Sequence, residues 1–155
     1  MHDNSVFYVN ECCTPDSWYT VETGVNDKFY FHVPDATFTA RNNNYIVTLE
    51  SKNYNGAELA TALQTGMNSA VIVQTGNTFT VTYNAAKQTI SIQSNYIDVT
   101  FRILTSKDIA TKRNRQWVGA SYDENNRHDI TGLLNLTEGT SPLYTQASPF
   151  TTNIS

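Results

Sequence analysis

The side chains best suited to metal or nucleophile chemistry are His2, His32, His128, Cys12 and Cys13. A structural zinc site draws its ligands from closely spaced Cys and His pairs. Here the histidines are far apart and share no ligand spacing. Adjacent cysteines present their sulfurs poorly to one ion, and His32 with the pair would still lack a fourth ligand. The expectation is no metal site, with His32 a surface histidine on a strand and the cysteines partly buried as small hydrophobes. The ring closed between neighbouring cysteines is strained relative to ordinary disulfide geometry, so a disulfide-stapled scaffold is not expected either. Nucleophilic catalysis needs a base beside an activated Ser or Cys. Neither Ser17 nor Cys13 has an identifiable base, and the chain lacks a Gly-x-Ser-x-Gly elbow and a Gly-rich phosphate loop. Asp123 and Glu124 are next-door carboxylates on a polar stretch, which point apart into water. No catalytic residue and no cofactor are therefore assigned, and the chain reads as something other than an enzyme.

Binding chemistry has two further candidates. Lys107, Lys112, Arg113 and Arg115, followed by Trp117, form the one basic cluster. Four cations beside an aromatic could touch phosphates, although a solvated loop is the simpler reading. A formal net charge of −4 and a pI near 5.2 argue against a general nucleic-acid binder, which carries a basic face. The aromatic residues Trp18, Tyr19, Trp117 and Tyr122 could instead stack on sugar rings. They define the alternative function, a receptor- or carbohydrate-binding module.

Only 15% of the 155 residues are charged, against about 25% in an ordinary soluble domain. Thr and Asn fill the gap with 22 and 17 copies. With 12% aromatics and little net charge, the chain has the means to fold. Its length suits a single domain spanning residues 1–155. No run approaches 18 apolar residues, so no membrane-spanning segment is expected. The N-terminal Met1-His-Asp-Asn-Ser5 has neither the basic nor the apolar region of a signal peptide. The sequons at Asn135 and Asn153 then follow from Asn and Thr abundance and are expected to be unmodified.

The elements that would position any such chemistry are clearest between residues 44 and 93. Tyr45-Ile-Val-Thr-Leu49 reads as a strand. Asn55 is a good N-cap, Glu58 at N3 completes a capping box, and Tyr54 and Leu59 form a hydrophobic staple. Leu59, Leu63 and Met67 then make a narrow apolar stripe, predicting a helix over residues 56–69 that lies against one sheet, with Gly66 a weak point. Residues 78–83 and 89–93 alternate across a five-residue loop as a β-hairpin. Phe79, Val81 and Tyr83 share its inner face with Ile90 and Ile92, and Thr and Ser line the outer face. Ile97, Val99, Phe101 and Ile103 continue the pattern as a further inward-facing strand. Residues 6–9, 29–33 and 37–39 are also strand-like, residues 106–110 form a short helical turn capped by Ser106, and residues 130–136 another apolar element. A strand beginning near Phe150, just before the end of the sequence, suits the N-terminal part of a longer protein. The fold class expected is mainly β, an antiparallel β-sandwich with one helix packed on it.

The hydroxyl-rich face of the hairpin carries no charge at all. Thr is a natural strand former, but solitary sheets guard their edges with Lys, Pro or bulges. A neutral, flat, hydrogen-bonding surface suits burial by another subunit.

The order of Val6-Phe-Tyr-Val-Asn10, the Asn-rich loop, the strand, Asn53-Tyr-Asn-Gly-Ala-Glu-Leu-Ala60 with Leu63-Gln64 and Met67-Asn68, Phe79-Thr-Val-Thr-Tyr83, Thr89-Ile-Ser-Ile92 and Asp129-Ile-Thr-Gly-Leu-Leu134 resembles a family of virion proteins. These are the penton-type, minor-capsid or spike-base β-sandwich domains of icosahedral DNA viruses, virophages and related mobile elements. The resemblance covers residues 5–136. It implies a jelly-roll-like fold, a structural role in the virion, homo-oligomers and contacts with other virion proteins, with a host receptor or glycan as a further partner.

Overall fold

The computed structural model describes residues 20–34, 43–75, 77–105, 108–109, 117–118, 129–136 and 142–154. Among these residues strands predominate, arranged in two sheets with one long helix. The first sheet runs β5-β1-β2-β6, from β1 (Lys28–Val33), β2 (Asn43–Thr48), β5 (Arg102–Ile103) and β6 (Trp117–Val118). Its pairs are antiparallel except β2 with β6, which is parallel. The second sheet, β3-β4-β7, is antiparallel throughout and uses β3 (Phe79–Asn84), β4 (Thr89–Ser94) and β7 (Phe150–Asn153).

Alternation places Phe29, Phe31, Val33, Tyr45 and Val47 on one face of the first sheet, where all are buried. The inner residues of the second sheet, Phe79, Val81, Ile90, Ile92 and Phe150, join the same core. A continuous run of rings crosses between the layers. Phe31 stacks on Tyr45 at 5.0 Å and meets Phe79 edge-on at 5.8 Å. Phe79 meets Phe101 at 5.2 Å, Phe101 meets Tyr144 at 5.6 Å, and Tyr144 meets Phe150 at 5.2 Å. Each such pair contributes about 0.5–1.5 kcal/mol beyond the area it buries.

The helix α1 (Gly56–Thr75) begins where the capping box predicts. The Asn55 side-chain oxygen accepts from the Glu58 amide at 2.9 Å, and Glu58 accepts from the Asn55 amide at 3.0 Å. It ends later than residue 69. Val71 extends the buried stripe of Leu59, Leu63 and Met67 by one more turn. The helix also touches both sheets, where the sequence suggested one. On one side Gly66 sits over Val47 of β2, so close that an added Cβ would fall 2.2 Å from Val47 Cγ1. Gly66 is the place where helix and strand meet, and its small size is required there. On the other side, Gln64 and Asn68, one turn apart, reach the open edge of β3. Asn68 accepts from the Phe79 amide at 2.7 Å and donates to the Phe79 carbonyl at 3.1 Å, while Gln64 accepts from the Val81 amide at 2.9 Å. Two helix side chains thus take the place of a neighbouring strand.

Several expectations need correction. His32 is 7% exposed, and its Nδ1 lies 3.0 Å from the Asn44 side-chain oxygen. The face it shares with Tyr30 is covered by a second cluster, Tyr30, Ile46, Leu104 and Ile109. Ile97 is 77% exposed in a turn, with only Phe101 to Ile103 pairing onwards. The Ser94 hydroxyl binds both the amide and the carbonyl of Tyr96, which bends the chain out of the strand. The short turn after β5 is capped by Thr105, whose hydroxyl accepts from the Asp108 amide at 3.3 Å. The hairpin loop has four residues, 85–88, with Gln88 in the left-handed region at φ 51°. Residues 130–136 form a hydrogen-bonded turn. The strand-like stretches at 6–9 and 37–39 lie outside the described residues.

Candidate functional site: an uncharged sheet face and a groove at the helix start

The register of the second sheet decides what its outer surface carries. Thr80 pairs with Gln93; Thr82, Ser91 and Thr151 form a row; Asn84, Thr89 and Asn153 form the next. These eight residues share one face because their partners at alternate positions point into the core. None is ionisable. Hydroxyls and amides on this surface bind one another, with Ser91 Oγ 2.6 Å from Thr151 Oγ1 and Thr80 donating to Asn95 at 2.7 Å. Asn95 in turn donates to the Thr78 hydroxyl at 2.9 Å. Such a surface offers donors and acceptors without a field, and it loses little when covered by a matching neutral surface. The hairpin part of this face follows from sequence alternation; the contribution of β7 does not.

A second feature is an open groove of about 430 Å³ between the segment leaving β2 and the start of α1. Glu50, Lys52, Tyr54, Ala57, Glu58, Thr61 and Ala62 line it. Two of its charges, Lys52 and Glu58, are engaged with each other. Lys52 Nζ lies 3.0 Å from Glu58 Oε1 and 5.4 Å from the centre of the Tyr54 ring. The Asn55 backbone amide, and then Lys52, hold the Glu58 carboxyl below the ordinary value of 4.5. The Tyr54 ring therefore carries a cation on one face, which removes that face as a stacking platform for a sugar. At the margin of the core, partial burial pushes the Tyr144 phenol up.

Of the aromatics singled out for carbohydrate binding, Trp18, Tyr19 and Tyr122 lie outside the described residues, and Trp117 contributes its backbone to β6, opposite Asn44. Lys107, Lys112, Arg113, Arg115, Cys12, Cys13, Ser17, His2, His128, Asp123 and Glu124 also lie outside. Among the described residues, no group of three or more His, Cys, Asp or Glu is placed to hold a metal ion. No described helix is long and apolar enough to cross a membrane. Sequence reasoning gave Gln64 and Asn68 no contact of their own; the signal was an amide pair at i, i+4 flanking the apolar stripe. It also missed Tyr96, a half-exposed aromatic in the turn that follows β4.

Compared with known proteins, the chain matches no protein family, no curated protein and no solved structure.

Proposed function

We propose that this chain is a structural, non-catalytic subunit that works by being built into a larger assembly. The sequence resemblance supports a virion as that assembly, with the chain a capsid, penton or spike-base component in a jelly-roll-like β-sandwich. Its partners are further copies of itself and other virion proteins. The observation that carries the reading is the uncharged outer face of β3-β4-β7, eight neutral side chains in register. A surface kept in water by an isolated protein is ordinarily interspersed with charges of both signs; this one suits burial against a neighbour.

Light scattering on the purified chain tests the proposal, and an oligomer is the expected result. The competing function, carbohydrate binding, is tested on a glycan array. A strictly monomeric chain with saturable glycan binding that disappears in Trp117→Ala would replace assembly with sugar recognition.

A further inference from the structure

The two edges of the β3-β4-β7 sheet are treated differently. At β3 the backbone of Phe79 and Val81 is occupied by Asn68 and Gln64. At β7 the phase of the ladder determines which groups are left. The Asn95 amide donates to the Thr78 carbonyl and the Ile154 amide to the Gln88 carbonyl. Hydrogen-bonded pairs alternate in an antiparallel ladder. Odd-numbered residues of β4 therefore bond to β3, and even-numbered ones to β7. Within β7, Phe150 and Thr152 face β4, while the backbone N–H and C=O of Thr151 and Asn153 point away from the sheet. Among the described residues nothing bonds to either group of Thr151 or to the Asn153 amide. The Asn153 carbonyl has only a 3.3 Å contact from the Thr152 hydroxyl, which reaches the Leu134 carbonyl at 2.6 Å.

We infer that a second copy of this chain adds to the sheet along β7, antiparallel, across a two-fold axis at Thr152. This rests on the assembly reading and names the strand that carries it. The occupant follows from self-complementarity. With Thr152 on the axis, Thr151 of one copy faces Asn153 of the other, and both residues present their backbone groups outward. Four N–H···O bonds form with no register slip. The β7 sequence Phe-Thr-Thr-Asn and the outer face beside it contain no charge, so identical strands meet without like-charge repulsion. None of the usual guards, an edge Lys, an internal Pro or a bulge, lies within β7. The pair makes a six-stranded sheet and doubles the neutral face. Four residues per copy bury far less than the ~1,600 Å² of a standard interface, so the pairing is weak for two copies alone and strengthens when many are arrayed.

The test is sedimentation equilibrium from micromolar to millimolar concentration, with amide hydrogen exchange read residue by residue. In the unpaired chain the Thr152 amide is protected and those of Thr151 and Asn153 exchange freely; all three become protected as concentration rises. Thr151→Pro removes an N–H that the isolated fold leaves unused, a position where edge strands tolerate proline. It is expected to weaken association about tenfold or more while the circular dichroism spectrum is kept. A second pair of variants covers the case in which Thr151→Pro misfolds. Thr151→Lys/Asn153→Lys and Thr151→Asp/Asn153→Asp should each stay monomeric alone and associate when mixed. A wild-type chain that is monomeric throughout would overturn both this inference and the assembly reading. A folded Thr151→Pro variant that associates as wild type, or charge variants that fail to pair when mixed, would overturn the β7 pairing alone.

Discussion

Gly66→Ala sets two effects of known size against each other at one atom. In an exposed helix interior the substitution stabilises by about 1 kcal/mol, because glycine has the greater backbone freedom to lose. Here the new Cβ would lie 2.2 Å from Val47 Cγ1 and 3.4 Å from Val47 Cβ and Cγ2. Val47 is 4% exposed, and its branched side chain is stiff at χ1 in a strand paired to Phe29. Relief requires rotating that side chain away from its preferred well or moving the helix off β2, and overpacking of this kind costs about 1–3 kcal/mol. The steric term exceeds the propensity term, so net destabilisation of about 1 kcal/mol is expected, or ~2–4 °C in Tm for a chain of this size. Urea denaturation read by far-ultraviolet circular dichroism measures it. A cycle with Val47→Ala isolates the contact: with the methyl groups gone, alanine at position 66 should recover its helix-forming advantage, giving a coupling of about 1 kcal/mol or more. A Gly66→Ala protein more stable than wild type by the full propensity increment, with no coupling to Val47→Ala, would refute the account of how α1 meets β2.

Two other perturbations address the helix. Asn68→Ala strips both partners from the part-buried Phe79 backbone and should cost about 1–3 kcal/mol, with faster exchange of the Phe79 amide and earlier aggregation through the uncovered β3 edge. Glu58 has a folded-state pKa below the ordinary 4.5, so its contribution to stability is fully present above that value and is lost as pH falls through the depressed one. Glu58→Gln should therefore lie below wild type in melting temperature at neutral pH, and the two should converge in acid; a constant gap across the titration would contradict the cause assigned here.

The hairpin was readable because its alternation fixes which residues face inward, and Val81 opposite Ile92 and Tyr83 opposite Ile90 keep that parity in the structure. The helix start was readable for a local reason too: Asn55 and Glu58 need only each other. The helix end was not. Val71-Ile-Val73 is β-branched and suggests strand, and its helical state is set by the core into which Val71 packs. His32 went wrong because alternation can name the opposite face of β1 but not what lies over it; Leu104 and Ile109, more than 70 residues on, supply the cover. Ile97 failed for the converse reason: the apolar pattern ran on unbroken while the Ser94 hydroxyl turned the backbone. The uncharged hairpin face could be read from the sequence, whereas the edge of β7 emerged only once Phe150 had been placed beside Ile92.

The late arrival of β7 bears on how the protein is made. Residue 151 meets residue 91 only after sixty more have been added, so through that stretch of synthesis the hairpin waits with one flank of β4 bare. Two strands are marginal in water without support, and at that stage the support comes from α1, already emerged and bonded along the opposite flank. A nascent chain stalled before Phe150 would therefore carry a shielded side and an adhesive one, a half-finished sheet for which a chaperone, or the wrong strand, would be the first available partner.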